Sequence, residues 1–218
     1  RPRRRVVPQD DPVPGLRLAG QPERVERGAG VAAVDDLERH LRRRGAGVLA
    51  QSIPAGDRCV ITAFAGAAID RTVVRSAGLV PDGALPAQRQ NPAPKLPAYC
   101  RVEATVTTSA DSRVNFEVWI PLDWNGKIVV TGNGGYSNAL NVRDMAHALS
   151  QRYAAVGGDT GHQTPTPDDL LWGVDHPDRI IDWGSRSIHA ISGPARRIVE
   201  QVQGATPRRA YFYGCSTG

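Results

Sequence analysis

The sequence predicts an α/β fold, and three observations in its second half support this prediction. Strand-like and helix-like segments alternate from Lys127 onward, which is the order expected for a parallel sheet. The segment 127–131 is a nearly continuous β-branched run, typical of a strand buried on both faces. The last strand-like run leads directly into the pentapeptide Gly214-Cys215-Ser216-Thr217-Gly218.

The length suits one ordinary domain or one and a half, and the composition argues against nucleic-acid and membrane partners. The chain has 218 residues, of which 40% are hydrophobic, and a net charge of +5. Arginine clusters at residues 1–5 and 42–44 have no aromatic neighbours, and acidic residues lie close by, so a solvated surface is favoured over nucleic-acid binding. No apolar run approaches the roughly 20 residues that a membrane-spanning helix needs.

The N-terminal half carries weak structural signals. Residues 1–30 are rich in proline, arginine and glycine and predict a flexible leader, so the domain proper is expected over 31–218. A short helix is predicted over Val34–Leu41 and a strand over Val60–Phe64. The proline-rich stretch Pro81–Pro97 predicts an extended connector.

Two alternating segments in the middle of the chain predict a β-hairpin. Apolar residues alternate with polar ones over Arg101–Thr107 and again over Val114–Ile120. The residues Ala110-Asp111-Ser112 between them suit a turn. A second turn, Asp123-Trp124-Asn125-Gly126, precedes the buried strand at Lys127.

The remaining elements complete the alternation. A helix is predicted over Asn141–Arg152 and a strand over Tyr153–Val156. A second helix is expected over Ser185–Val202, although Gly193-Pro194 would kink or divide it. The last strand is expected to end where the pentapeptide begins.

The pentapeptide reads G-x-S-x-G, which after a strand is the sequence form of a nucleophile elbow. Its glycines permit a tight turn that would expose the hydroxyl of Ser216. An ordinary glycine-rich turn is the alternative for the pentapeptide alone. A second turn, Gly132-Asn133-Gly134-Gly135, follows the buried strand and would present backbone N–H groups that can hold an oxyanion, together with the N–H of Thr217. It matches no phosphate-loop signature.

None of the five histidines is predicted to act as the base for Ser216. They all precede the serine, whereas in the α/β-hydrolase order the acid and then the histidine follow it. His162 is expected to have a hydrogen-bonded structural role, and His189 to lie in a helix. Asp159 and His162 do not predict a metal site, because no third ligand accompanies them.

The chain has three cysteines, which leave two interpretations open. Cys59 and Cys100 could form a disulfide, which would imply an oxidising compartment. Alternatively, all three could be reduced and buried in a cytosolic protein. Their spacing matches no zinc signature.

In combination, several segments resemble the tannase and feruloyl esterase family, which also includes mono(2-hydroxyethyl) terephthalate hydrolases. The resemblance covers roughly residues 55–218. The matching segments are Leu96 through Val102, Phe116 through Pro121 with Trp124 through Lys127, Gly132 through Tyr136, Asp159 through His162, and Tyr211 through Gly218.

This resemblance implies an α/β-hydrolase fold, of which the chain would be the N-terminal part ending at the nucleophile elbow. It implies that Ser216 is the nucleophile and that the N–H groups of Gly134 and Thr217 form the oxyanion hole. It also implies a disulfide between Cys59 and Cys100, and a second one that joins Cys215 to a cysteine beyond residue 218.

The implied activity is that of a secreted or periplasmic serine esterase that hydrolyses small aromatic esters through an acyl-enzyme. The catalytic acid, the histidine and a lid domain with a calcium site would lie downstream, so no cofactor is expected within this chain. The isolated chain is expected to be inactive. The alternative is a non-catalytic fragment, or a binding module with a hydrolase-like sheet. The oligomeric state cannot be predicted.

Overall fold

Six strands form one mixed sheet in the part of the protein that the computed structural model describes, which is residues 54–80, 85, 96–164 and 169–218. The predicted leader and the predicted helix at Val34–Leu41 lie outside these residues, as does most of the connector at 81–97. The strands are β1 (Thr72–Val80), β2 (Tyr99–Thr107), β3 (Arg113–Pro121), β4 (Lys127–Thr131), β5 (Ala154–Gly158) and β6 (Arg209–Tyr213).

The sheet is antiparallel in one half and parallel in the other. Its strand order is β1-β2-β3-β5-β4-β6, in which β4 is parallel to both β5 and β6. The predicted parallel arrangement is therefore confirmed for these three strands, whereas β1, β2, β3 and β5 pair in antiparallel fashion. The predicted β2–β3 hairpin is also confirmed, with Val102 opposite Val118.

Two features of the N-terminal half differ from the prediction. The segment predicted as a strand at Val60–Phe64 contains a 3-10 helix, Ile61–Phe64, in which only Phe64 is buried. An apolar run this short does not distinguish strand from helix. Strand β1 was not predicted, and its register with β2 shifts between Val74 and Ser76, which interrupts the alternation that would have indicated a strand.

Three α-helices occur in the described residues: α1 (Val142–Ser150), α2 (Pro177–Ile181) and α3 (Ser187–Gln203). Asn141 caps α1, where its side chain accepts a hydrogen bond from the backbone N–H of Asp144 at 3.2 Å. A π-helical segment, Asp182–Arg186, joins α2 to α3. Of the two predicted effects of Gly193-Pro194, a kink or a division, the division is wrong, because α3 is continuous through Pro194 and buries one face, including Ile191 and Ala195, in the core.

The helices cover both faces of the sheet. Neighbouring residues of β3 belong to different hydrophobic clusters: Val118 and Ile120 pack in the cluster that includes the buried face of α3. Trp119 packs with the buried face of α1. Because successive strand residues point to opposite faces, the two clusters lie on opposite sides of the sheet. The predicted burial of β4 on both faces is confirmed, and β6 is held beside it by parallel strand pairing.

Candidate active site

The glycine-rich turn and the pentapeptide emerge side by side at one edge of the sheet. Strands β4 and β6 are parallel neighbours, and their last residues, Thr131 and Tyr213, are paired. The N–H of Gly132 donates a hydrogen bond to the carbonyl of Tyr213 at 2.9 Å. The strand pairing therefore brings together two segments that are about eighty residues apart in the sequence.

Ser216 lies at the tip of a strained turn. Its φ is 62°, a left-handed backbone conformation that non-glycine residues rarely adopt. The N–H of Gly218 donates to the carbonyl of Cys215 at 3.2 Å, which closes the turn around the serine. Ser216 is exposed. A strained serine that follows a strand is the local geometry of a nucleophile elbow.

The two turns approach each other so closely that only glycine fits between them. A Cβ atom added to Gly132 would lie 2.7 Å from the Cα atom of Gly218. A Cβ atom added to Gly218 would lie 2.7 Å from the carbonyl carbon of Asn133. Gly214 is equally confined, because its added Cβ would lie 2.8 Å from a ring carbon of Phe212. These glycines permit backbone-to-backbone contact at the site.

Thr217 connects the elbow to the glycine-rich turn through its side chain. Its hydroxyl lies within hydrogen-bond distance of two carbonyl oxygens, 3.0 Å from Gly135 O and 3.3 Å from Asn133 O. A hydroxyl has one proton to donate, so the shorter contact identifies Gly135 as the better acceptor. The turn that carries Gly134 is thus bonded to the residue that follows the candidate nucleophile.

The backbone N–H groups of Gly134 and Thr217 remain available at this contact. Neither group donates a hydrogen bond to a backbone carbonyl among the described residues. A Cβ atom added to Gly134 would meet nothing within 4 Å, so open space adjoins this position. Two unengaged N–H groups on neighbouring turns are the elements from which an oxyanion hole is built.

An aromatic pair that the sequence does not predict adjoins the glycine-rich turn. The rings of Tyr136 and Trp183 stack with their centroids 5.2 Å apart and an interplanar angle of 22°. The indole N–H of Trp183 donates to Gly135 O at 3.1 Å. No local pattern could have indicated this contact, because its partners are 48 residues apart.

Asp159 has a structural position at the end of β5. Its carboxylate accepts hydrogen bonds from the backbone and side chain of Asn115 at 3.0 and 2.8 Å. It also accepts from Gly161 N–H at 3.1 Å and from the side-chain amide of Gln163 at 2.7 Å. Burial raises the pKa of Asp159, and these four donors oppose that shift.

The prediction of a hydrogen-bonded His162 is wrong. The side chain is buried and stacks on Trp172 with ring centroids 4.1 Å apart. Neither ring nitrogen has a hydrogen-bond partner, and burial lowers the pKa of His162 because a charged imidazole would be desolvated there. The neutral ring therefore serves as an aromatic core residue.

No described histidine forms a hydrogen bond with Ser216. His189 lies in α3, as predicted, and is exposed with its Nδ1 atom 3.2 Å from the carbonyl of Ser185. His176 pairs with Asp111 at 2.6 Å, and this hydrogen bond lowers the pKa of the Asp111 carboxyl. Among the described residues, no three or more His, Cys, Asp and Glu side chains are grouped as metal ligands.

Cys59 and Cys100 form a disulfide with Cα atoms 5.5 Å apart, which overturns the alternative of three reduced cysteines. The bond links the residues just before the 3-10 helix Ile61–Phe64 to β2, and both cysteines are buried in the core. Cys215 is free and exposed in this chain. No helix in the described residues is both long enough and apolar enough to cross a bilayer.

Comparison with known proteins identifies one family. The family model described as tannase and feruloyl esterase matches residues 100–218, which is more than half of the chain. The chain is 31% identical over 187 residues to an uncharacterized esterase of Xanthomonas campestris pv. campestris, covering 82% of the chain and 32% of that protein. It is 31% identical over 119 residues to a probable feruloyl esterase B of Aspergillus clavatus, covering 55% of the chain and 22% of that protein.

The fold matches a solved esterase structure. The crystal structure of feruloyl esterase B from Aspergillus oryzae aligns with a TM-score of 0.64 and 27% sequence identity. The alignment covers 75% of this chain and 32% of the solved chain. The chain thus spans about a third or less of the length of these relatives.

Proposed function

The chain belongs to the tannase and feruloyl esterase family, and from that premise we propose that it is the N-terminal part of a serine carboxylic ester hydrolase acting on aromatic esters. The hydroxyl of Ser216 attacks the ester carbonyl, the alcohol leaves and an acyl-enzyme forms. Water then attacks the acyl-enzyme and releases the carboxylic acid. The observation that carries this proposal is the strained, exposed Ser216 at the end of β6, held against a glycine-rich turn.

The oxyanion of each tetrahedral intermediate is proposed to bind the N–H groups of Gly134 and Thr217. One donor comes from the residue after the nucleophile and the other from a strand–helix loop, which is the arrangement of α/β-hydrolases. The lack of competing backbone acceptors for both groups among the described residues supports this assignment. Such donors act only if they are correctly oriented before the charge develops.

The general base and its carboxylate partner are proposed to follow residue 218. The α/β-hydrolase order places the acid and the histidine after the serine, and no described histidine bonds to Ser216. The exposed Cys215 would pair with a cysteine near that histidine, which would tie the elbow to the base. The lid domain, with its calcium site, would belong to the same downstream region.

The proposed substrates are galloyl, feruloyl or other hydroxybenzoyl esters, in line with the names of the related enzymes. We place the protein in the periplasm or outside the cell. The Cys59–Cys100 disulfide supports this localisation, because such bonds persist mainly in oxidising compartments.

The decisive experiment replaces Ser216 in the complete gene product. Ser216→Ala should abolish turnover of methyl ferulate and methyl gallate, with a residual acceleration of no more than about 10³–10⁴ over water from the remaining oxyanion site. Ser185→Ala is the matched control, because Ser185 is an exposed serine in the π-helical segment. Unchanged hydrolysis by Ser216→Ala would refute the serine mechanism, and an inactive wild-type protein would favour a binding module.

A further inference from the structure

One backbone carbonyl at the candidate site receives two side-chain donors from different parts of the chain. Gly135 O accepts from the Thr217 hydroxyl at 3.0 Å and from the Trp183 indole N–H at 3.1 Å. A carbonyl oxygen has two lone pairs, so both bonds can form together. We propose that Thr217 and Trp183 are positioning residues that hold the oxyanion turn in register with the nucleophile. This inference rests on the proposed esterase function.

Thr217 has two separable roles in this arrangement. Its backbone N–H is one proposed oxyanion donor, whereas its side chain bonds to the turn that supplies the other donor, Gly134. One residue therefore links the two donors, and a shift between the turns would change the position of both relative to the oxyanion. Donors act at 2.7–3.1 Å, and misplacement by about 1 Å can reduce a rate on the order of 100-fold.

Other side-chain hydrogen bonds hold the first half of the glycine-rich turn: Asn141 donates to Gly132 O at 3.0 Å, and Asn133 donates to Gly158 O at 2.8 Å. The bonds to Gly135 O hold its second half. Three of the four residues in 132–135 are glycines, and Gly135 has a φ of 60°. Glycine leaves the backbone more conformational freedom than any other residue. Two hydrogen bonds to Gly135 O fix the peptide unit that follows it and so restrict the turn that carries Gly134.

Trp183 is well suited to anchor the turn because its own support is rigid. The preceding residue, Asp182, is fully buried and accepts hydrogen bonds at 2.5 Å from the hydroxyls of Thr108 and Ser112. These residues belong to the connection between β2 and β3, so the π-helical segment is attached to the sheet. Tyr136 stacks on the Trp183 ring and adds a second contact to the turn. Short π-helical segments frequently occur at functional sites.

The test compares variants that remove only the donor atom. Thr217→Val replaces the hydroxyl with a methyl group of similar size, and Trp183→Phe removes the indole N–H while retaining an aromatic ring. In the complete gene product, each is expected to lower kcat by about 10–100-fold, with KM within about twofold of wild type. Thr217→Ser retains the hydroxyl and should recover most of the rate that Thr217→Val loses.

The double variant provides a further check. Because both donors bind one acceptor, the fold reduction of kcat in Thr217→Val/Trp183→Phe should differ from the product of the fold reductions in the two single variants. Rates are expressed per active site, titrated with a serine-reactive phosphonate, so that unfolded protein does not contribute. Independent effects in the double variant would contradict a shared positioning role.

Two outcomes separate this proposal from the proposed function. An active Ser216→Ala protein would refute the serine mechanism itself. If Ser216→Ala is inactive but Thr217→Val and Trp183→Phe keep the wild-type kcat, the mechanism stands and the positioning role is refuted. A Thr217→Ser variant as slow as Thr217→Val, or a change confined to KM, would also overturn the positioning role.

Discussion

At the scale of single residues, two positions are energetically unfavourable: the backbone of Ser216 and the side chain of His162. Ser216 adopts a left-handed φ, a strain of about 1–3 kcal/mol that is typical of functional sites. His162 is buried with both ring nitrogens unpartnered, and an unsatisfied buried polar group costs about 1–3 kcal/mol. The strain at Ser216 is explained by the exposed hydroxyl that the turn presents. The burial of His162 is offset only by the stacking of its ring on Trp172.

The state of His162 predicts a pH dependence of stability. Its folded-state pKa is lowered, so below the ordinary histidine pKa of about 6.5 the unfolded chain binds a proton that the folded protein does not. The free energy of unfolding should therefore decrease as the pH falls from about 6.5 towards the lowered pKa. His162→Phe retains the stack on Trp172 and removes the titrating group, so the decrease should become smaller.

The measurement is chemical denaturation of the wild type and the variant between pH 8 and pH 5. Asp159 titrates with the opposite sign, because its raised pKa leads the folded protein to take up a proton first on acidification. Both proteins contain Asp159, so its effect on the free energy of unfolding cancels when the wild type and His162→Phe are compared. His189→Phe changes an exposed histidine and serves as the control. Equal pH slopes for wild type and His162→Phe would contradict the prediction.

At the scale of elements, the site depends on direct contact between two turns. Gly132→Ala should separate the glycine-rich turn from the elbow, because the new Cβ would lie 2.7 Å from the Cα atom of Gly218. We expect a loss of about 1–3 kcal/mol in the free energy of unfolding, as for other overpacked sites. In the complete protein, kcat should also fall, since the oxyanion donors would move relative to Ser216.

Gly78→Ala is the matched control for Gly132→Ala. Gly78 is exposed in β1, and an added Cβ would meet nothing within 4 Å. Alanine there should increase the free energy of unfolding by about 0.5–1 kcal/mol, because glycine is unfavourable within a strand. Thermal melting and esterase assays would check both variants. A Gly132→Ala protein as stable and active as wild type would show that the turns can move apart without cost.

At the scale of the whole molecule, β6 lies at an edge of the sheet and is poorly covered in this chain. Its three aromatic residues, Tyr211, Phe212 and Tyr213, are 47%, 54% and 58% exposed. The strand pairs only with β4 among the described strands. Exposed edge strands with apolar side chains favour association between molecules.

We therefore expect the purified 218-residue chain to associate and to show negligible esterase activity. The acid and base are proposed to follow residue 218, and an unassisted serine hydroxyl is a weak nucleophile at neutral pH. Light scattering would measure the association, and hydrolysis of p-nitrophenyl acetate would measure the activity. Robust turnover that disappears in Ser216→Ala would show that the base lies within this chain.

Features that depend on local patterns can be predicted from the sequence. The bounds of β4, the β2–β3 hairpin and the alternation that leads to the elbow follow from side-chain periodicity and turn residues, which act over a few positions. The Cys59–Cys100 disulfide followed from resemblance to the family, because cysteine spacing alone left it open.

Features that depend on contacts between distant segments could not be predicted in this way. The pairing of β4 with β6 placed the two turns side by side, and the fold brought Trp183 to Gly135 O across 48 residues. Strand β1 was not predicted because a register shift interrupts its alternation. The unpartnered state of His162 was not predicted because the residues that surround its ring are brought together only by folding. Long-range pairing and burial arise from the whole chain, and so no single segment encodes them.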